Sequence, residues 1–193
     1  MEWVSDAYAR LVELEREAAS IQQNQPLYVP GLLQTEQYAT ALVAGVLGLP
    51  SQAPGVAQRV QLRRQRSEAF LQRLEGANPP ALTSVIDESV LRRRVGGPAT
   101  MRAQLDHLLE ISARYPSVRL AVPSLDSDAH PGMTGSFEIF DTAVFFETPG
   151  YDRLAEDPET VQLYRQRFAS LLAAADAGEK ASERLERLSV TIL

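Results

Sequence analysis

Glu88, His130 and Glu147 are the side chains of this sequence that could carry out acid–base chemistry together. Each glutamate comes near the end of an apolar run typical of a buried strand, whereas His130 lies in a polar, turn-rich loop. Carboxyl and imidazole groups can divide the roles of acid and base when their surroundings move their pKa values apart. If the protein is an enzyme, we expect these three residues to be catalytic, without a cofactor.

Structural roles compete with this interpretation. Asp87 is a good N-cap for the short helix that follows it. Glu88, which can face inward, has possible partners in the run Arg92-Arg93-Arg94. The sequence contains no Gly-x-Ser-x-Gly pattern of a nucleophile elbow, so a hydrolase triad is not indicated. A ligand contact or a proton donor is the alternative role for His130.

A proline-glycine turn opens directly into a predicted helix at residues 30–35, a segment that we call the elbow. Pro30 and Gly31 set the turn, and Gln34 and Thr35 stand where the helix begins. The first N–H groups of a helix have no partner within the helix, and they suit a carboxylate or a phosphate. The elbow is therefore a candidate ligand-binding segment. The alternative is structural, with Gln34 or Thr35 acting only as a cap.

Four arginines lie close together on one predicted helix and could bind an anionic ligand or an acidic partner. Guanidinium groups suit this role because they pair with carboxylates and phosphates through two parallel hydrogen bonds. Arg63 lies four residues after Arg59 and three before Arg66, so these three share a face. The alternative is a solvated face balanced by Glu68 and Glu75. The four residues are Arg59, Arg63, Arg64 and Arg66.

The composition restricts the class of protein. The chain has 193 residues, of which 45% are hydrophobic and 23% charged, which is typical of a globular protein with a good-sized core. With no cysteine and two histidines, we expect no disulfide, no thiolate chemistry and no metal site. A net charge of −6 with one lysine predicts no direct contact with nucleic acid. No apolar run is long enough to cross a bilayer, so we expect no membrane association and a cytoplasmic location.

Hydrophobic periodicity predicts the elements that hold these residues. A first helix runs through Ile21 and is followed by a loop over 24–30. Short β-branched runs predict two strands, and an aromatic segment predicts a hairpin. The further predicted helices are at about 32–47, 54–75, 98–115, 157–172 and 181–188, and the predicted strands are at 81–86, 118–123 and within 136–147.

This order predicts an α+β fold, with a helical N-terminal layer plus a small, mostly antiparallel sheet flanked by helices. We expect one domain over residues 1–193, with a helical lobe at about 1–78 and an α+β lobe at about 79–193.

Several of these segments together resemble a known family. It is the uncharacterised, effector-like C-terminal domain that follows the helix-turn-helix in actinobacterial (Streptomyces-type) Xre-family transcriptional regulators. The similar segments run in order from about residue 3 to about residue 172. They are Val29-Pro30-Gly31-Leu32-Leu33-Gln34-Thr35, the arginine-rich helix ending in Arg64-Gln65, Val85-Ile86-Asp87-Glu88-Ser89, His130-Pro131-Gly132-Met133 and Gly135-Ser136-Phe137.

The resemblance implies a domain that senses an unknown small molecule or a small partner protein and can form a homodimer. It also implies a helix-turn-helix upstream, which is absent from this chain. We expect the ligand between the elbow and the sheet. The candidate ligand-binding residues are Pro30, Gly31, Gln34, Thr35, Tyr38, Arg63, Glu88, His130, Phe137 and Glu147. Two alternatives stay open: a free-standing acid–base enzyme recruited to a biosynthetic pathway, and a scaffold for protein contacts.

Overall fold

A computed structural model describes residues 6–147 and 152–191. Over these residues the chain forms seven α-helices and one seven-stranded mixed sheet, which confirms the predicted α+β class. The start of the family resemblance, at residues 3–5, lies outside the described residues.

Two helices in the regions of interest begin at capping side chains. Thr35 caps the second helix by accepting a hydrogen bond from the Tyr38 N–H, and Asp87 caps the fourth by accepting one from the Ser89 N–H. Both caps were predicted. The helices are α1 (Asp6–Glu17), α2 (Glu36–Leu47), α3 (Pro54–Leu74), α4 (Glu88–Arg92), α5 (Pro98–Arg114), α6 (Pro158–Ala173) and α7 (Glu179–Thr191).

The sheet combines a parallel centre with antiparallel flanks. Its strands are β1 (Ser20–Gln25), β2 (Ala81–Ile86), β3 (Val118–Val122), β4 (Phe137–Ile139), β5 (Val144–Phe146), β6 (Arg153–Ala155) and β7 (Asp176–Ala177). Their order across the sheet is β6-β5-β4-β1-β2-β3-β7. The pairs β1–β2 and β2–β3 are parallel and the other pairs are antiparallel, so the sheet is largely antiparallel, as predicted.

The largest difference from the sequence prediction is β1. Helical spacing extended the first helix through Ile21, but α1 ends at Glu17 and Ser20–Gln25 is a strand between β4 and β2. The prediction was wrong because the strand contains four consecutive polar residues, 22–25, which lack the alternation that identifies a half-buried strand. The predicted helix at about 32 is also shorter, because Gly31–Leu33 forms a separate 3-10 turn.

Different helices cover the two faces of the sheet. On one, which we call the helical face, apolar residues of α1, α3, α5 and α7 form a single core with Ile21, Leu82 and Phe145. Leu32 and Leu33 belong to this core, so the elbow is held over the helical face. On the opposite face, α6 packs against the strands in a second core.

Candidate functional site

A row of buried polar side chains crosses the helical face of the sheet. Glu138 of β4 lies opposite Gln23 of β1, and Gln23 lies opposite Ser84 of β2. The side-chain amide of Gln23 donates a hydrogen bond to Glu138 Oε2 at 3.0 Å. Glu138 is only 4% exposed, and Gln23 and Ser84 are fully buried. Because burying polar groups costs free energy unless they are well paired, this row is a candidate for a function.

A buried ion pair joins α1 and α3 over the same face. The Arg66 guanidinium donates two hydrogen bonds to the Glu15 carboxylate and one, at 3.0 Å, to the Tyr8 hydroxyl. The predicted arginine cluster is therefore not one solvated face. Arg66 points into the protein, whereas Arg64 pairs with Glu68 at the surface at 3.7 Å.

A cavity of about 30 Å³ lies between the elbow, α3 and the polar row. This volume accommodates about two water molecules. Four of the predicted ligand-binding residues line it, together with Glu138 and the unpredicted Tyr28. The four predicted residues are Gly31, Gln34, Arg63 and Glu147.

Tyr28 and Glu147 form a polar contact in the wall of this cavity. Burial raises the pKa of the Tyr28 phenol, and the charge of Glu147 and the hydrogen bond to it raise this pKa further. The positive charge of Arg63 lowers the pKa of the phenol. The phenol therefore stays protonated and donates its hydrogen bond to Glu147. This contact links the segment before the elbow to the end of β5.

Glu138 is poorly stabilised as a carboxylate. Burial raises its pKa to about 7, and the negative charge of Glu15 adds to the effect. Arg66 and the hydrogen bond from Gln23 lower the pKa, but they do not compensate for the loss of water. At neutral pH the side chain is therefore divided between its protonated and ionised forms. A carboxyl group in this state gains strongly from any cation placed beside it.

Gln34 brings an unsatisfied acceptor to the cavity wall. Its Nε2 donates to the Val29 carbonyl at 2.6 Å, but its Oε1 has no hydrogen-bond partner among the described residues. The residue is only 7% exposed. Buried acceptors in folded proteins nearly always have a partner. The Gln34 carboxamide oxygen is thus placed to accept a hydrogen bond from a molecule in the cavity.

Two further acceptors without partners lie close to the polar row in the chain. Gln25 is two residues along β1 from Gln23, so strand alternation puts it on the same side as the polar row, and Ser136 directly precedes β4. Within the described ranges, Gln25 Oε1 and Ser136 Oγ have no hydrogen-bond partner, although both residues are buried. The unsatisfied polarity therefore extends along β1 and to the start of β4.

Pro30, Thr35 and Tyr38 hold the elbow in shape. The Pro30 carbonyl accepts from the Leu33 N–H at 2.9 Å, and the Thr35 N–H donates to Gln104 Oε1 at 2.7 Å. The buried Tyr38 hydroxyl accepts a hydrogen bond from the Val29 N–H. Two of the N–H groups that were expected to bind an anion at the elbow, those of Leu33 and Thr35, therefore have partners within the protein.

Phe137, also predicted to contact the ligand, lies on the opposite face. Its ring packs edge to face against Tyr164 and Phe168 of α6. The structure therefore does not bring Phe137 together with the cavity residues.

Glu88 belongs to a second polar cluster where β2 ends. Its carboxylate accepts hydrogen bonds from Arg92 Nε at 2.7 Å, from Arg184 Nη1 at 2.7 Å and from the Leu125 N–H at 3.1 Å. Burial alone raises the pKa of Glu88, but these donors and charges outweigh burial, and the pKa is lowered. We call the group the β2-end cluster; its members are Asp87, Glu88, Arg92, His130 and Arg184.

His130 lies in the same cluster. Its side chain is 5% exposed, and its Nε2 is 3.9 Å from Asp87 Oδ2. Neither ring nitrogen has a hydrogen-bond partner in the part of the chain that the structure describes. The three residues expected to act together in catalysis are therefore divided, because Glu147 lines the elbow cavity while Glu88 and His130 lie in the β2-end cluster.

Glu138, Gln23 and Tyr28 were missed in the sequence. Glu138 sits between Phe137 and Ile139, which is the pattern of an ordinary strand with a solvent-facing position. Only knowledge that helices cover both faces would have identified this glutamate as buried. Gln23 was missed because its segment was predicted to lie at the boundary of a helix and a loop.

The described residues contain neither a metal-ligand cluster nor a membrane-spanning helix. Residues 6–147 and 152–191 contain no group of three or more His, Cys, Asp and Glu side chains that could hold a metal ion. In the same ranges, no helix combines the length and the apolar character needed to span a bilayer.

Comparison with known proteins identifies a family but no characterised relative. No curated protein and no solved structure matches the chain. A family model described as a domain of unknown function (DUF5753) matches residues 8–187, a range that contains the elbow, the polar row and the β2-end cluster. The chain therefore belongs to the DUF5753 family.

Proposed function

We propose that this domain is the sensing part of an Xre-like transcriptional regulator, and that it binds a small molecule in the elbow cavity without contacting DNA itself. The observation that supports the proposal is Gln34, which lines the cavity and whose buried carboxamide oxygen has no partner among the described residues. The poorly stabilised Glu138 carboxyl group lies in the same wall. A cavity with unsatisfied polar walls is a better place for a specific ligand than an apolar void is.

The elbow offers a route by which binding affects the rest of the domain. Gln104 of α5 donates to the Leu33 carbonyl at 2.7 Å and accepts from the Thr35 N–H. Ser67 of α3 donates to the Leu32 carbonyl at 2.9 Å. A ligand that attracts Gln34 therefore acts on a segment that is bonded to two helices and that leads into α2. Such a ligand shifts an attached DNA-binding state only if it prefers one arrangement of these elements.

The enzyme alternative has less support. It requires Glu88, His130 and Glu147 to reach one substrate, but they are divided between the cavity and the β2-end cluster. The Glu88 carboxylate also already accepts hydrogen bonds from two arginines. A partner protein and a homodimer remain predictions of the family resemblance.

The experiment uses native mass spectrometry on protein incubated with a small-molecule extract of an actinobacterial host. We expect a mass increase in the natural protein and none in Gly31→Leu, because the new side chain fills the cavity from the elbow. A Cβ at Gly31 has only the Arg66 guanidinium nearby, at 3.9 Å. The matched control is Gly45→Leu, since a Cβ at exposed Gly45 meets nothing within 4 Å.

Two results would contradict the proposal. One is the absence of any bound molecule in the natural protein, and the other is an adduct that persists in Gly31→Leu. Conversion of the bound compound into a product would favour the enzyme. In a regulator that carries this domain, the compound is expected to change operator affinity, and Gly31→Leu is expected to abolish the change.

A further inference from the structure

The elbow cavity has more negative than positive charge in its walls. Glu138, Glu147 and Asp152 line it, against Arg63 and Arg66. Arg66 is already neutralised by Glu15, to which it donates two hydrogen bonds. An anion in the cavity would therefore lie beside Glu147, Asp152 and the partly ionised Glu138, and Arg63 is the cavity-lining arginine that Glu15 does not neutralise. This arrangement opposes the anionic ligand that the arginine cluster suggested in the sequence.

The hydrogen-bonding groups of the cavity point to the same conclusion. Gln34 Oε1 is an acceptor without a partner among the described residues, and ionised carboxylates such as those of Glu138 and Glu147 only accept hydrogen bonds. A protonated primary amine has three N–H donors and no acceptor. It therefore complements these walls, whereas a carboxylate or phosphate would add acceptors where donors are needed.

The volume of the cavity and its aromatic lining further restrict the class of ligand. A volume of about 30 Å³ accommodates an ammonium group with one or two carbons, and a longer molecule must extend beyond the cavity. Tyr8, Tyr28 and Phe145 also line the space. Aromatic rings attract cations through the negative charge of their faces. The Tyr8 ring already carries the Arg66 guanidinium, 5.1 Å from its centroid, so Tyr28 and Phe145 are the lining rings that remain for an ammonium group.

We infer that the elbow cavity binds the protonated amino group of a small amine between Glu138, Glu147 and Gln34. The inference rests on the proposed ligand-sensing function, for which it names the chemical class of the ligand. The ammonium group supplies the missing donor of Gln34 and places a positive charge beside Glu138. It leaves the Arg66–Glu15 pair intact.

The test compares ethylammonium with probes of nearly equal size, namely ethanol and acetate, and with potassium ion. Binding to the natural protein is measured by isothermal titration calorimetry at about pH 8, where Glu138 is mostly ionised. We expect ethylammonium to bind at least about tenfold more tightly than each of the others. Its ammonium group is the one that can donate charge-assisted hydrogen bonds to the carboxylates of the cavity.

Three variants locate the bound probe. Glu138→Gln keeps the shape but removes the charge, and Gln34→Met removes the acceptor at similar volume; each is expected to weaken ethylammonium binding about tenfold or more. Because Gln34→Met leaves Glu138 untouched, it keeps the test valid if Glu138→Gln folds poorly. The control Glu183→Gln alters an exposed carboxylate of α7 and is expected to leave binding unchanged.

Each other outcome overturns the inference. These outcomes are tighter binding of acetate or ethanol, equal binding of potassium, no binding of any probe, and ethylammonium binding that is unaffected by Glu138→Gln and Gln34→Met. The ligand-sensing proposal survives any of them if the extract adduct is still lost in Gly31→Leu. If that adduct is also absent or persists in the variant, both fail.

Discussion

Glu88 and Glu138 are both almost completely buried, yet their surroundings differ in kind. Glu88 is 2% exposed and accepts hydrogen bonds from two arginines and a backbone N–H, and its pKa is lowered. Glu138 is surrounded by further acids, receives its hydrogen bond from Gln23, and has a raised pKa. Little surface of either side chain is exposed, but Glu88 lies beside half-exposed Arg92 near the surface, whereas Glu138 lies deeper in the protein. The depth of burial and the supply of donors together decide whether the carboxylate is stable.

The comparison separates a structural acid from a candidate binding acid. The β2-end cluster is internally satisfied around Glu88, so a ligand would have to compete with arginines already in place. In the elbow cavity, Gln34 Oε1 has no donor among the described residues and Glu138 is poorly stabilised as a carboxylate, so a positively charged donor gains free energy on entering. This contrast predicts different changes in stability when residues of the two regions are replaced.

Arg66→Met is expected to lower the free energy of unfolding by about 4 kcal/mol, because it leaves Glu15 buried without its partner and beside Glu138. Urea denaturation measures the loss. The matched control on the same helix is Arg64→Met, whose pair with Glu68 is exposed and is expected to contribute less than about 1 kcal/mol. Equal losses in the two variants would show that the cavity is not short of positive charge.

Glu88→Ala is expected to lower the free energy of unfolding by about 3 kcal/mol, since Arg184 is mostly buried and loses an acceptor. Arg92 is half-exposed and regains water, which keeps the loss below that of Arg66→Met. Urea denaturation at neutral pH compares the variant with exposed Glu183→Ala. A loss of unfolding free energy no greater than that of the control would show that Glu88 does not stabilise the fold.

Glu138→Gln is expected to raise the free energy of unfolding, whereas the substitutions above lower it. The folded protein holds the Glu138 proton to about pH 7, above the ordinary value of 4.5, so folding is favoured by protonation. The free energy of unfolding contributed by this group therefore falls as pH rises from 4.5 to 7 and stays low above that range. The variant lacks this decline and is expected to be more stable than the natural protein by about 2 kcal/mol at high pH.

The measurement is a series of urea denaturations of both proteins between about pH 5 and pH 8. The difference is expected to be smallest at the acid end. A difference that is constant with pH, or a variant that becomes relatively less stable as pH rises, would mean that Glu138 is well stabilised as a carboxylate, like Glu88.

Thr35→Ala and Asp87→Ala remove helix caps, one in each region, and each is expected to cost about 1 kcal/mol. Equal small losses would sharpen the contrast, because they would show that the two regions differ in buried charge and not in local helix capping. Thermal denaturation of the two variants side by side measures this. A much larger loss for Asp87→Ala would indicate that His130 depends on it.

The sequence predicted those parts of the fold in which one residue pattern dominates. The apolar run 81–86, the aromatic hairpin and the caps Thr35 and Asp87 were recognised because each has a local physical signal. The same holds for four lining residues of the elbow cavity, which follow from a turn and a charged helix.

The features that the sequence did not predict depend on contacts between segments that are distant in the chain. Gln23 of β1 faces the polar partners Glu138 and Ser84 on its two neighbouring strands, and no local pattern reveals that. Phe137 was assigned to the pocket, but strand alternation sends it to the opposite face from Glu138. Likewise, the division of Glu88 from Glu147 follows from the order of strands across the sheet, which hydrophobic periodicity does not determine.

The central position of β1 also has a consequence for how the chain folds. Gln23 and Glu138 are hydrogen-bonded although they are 115 positions apart in the chain. During synthesis, one edge of β1 stays open until β4 has left the ribosome, and such an edge can pair with other chains. Closing so long a loop also slows folding. Refolding is therefore expected to be slow, and nascent chains that end before residue 137 are expected to need chaperones.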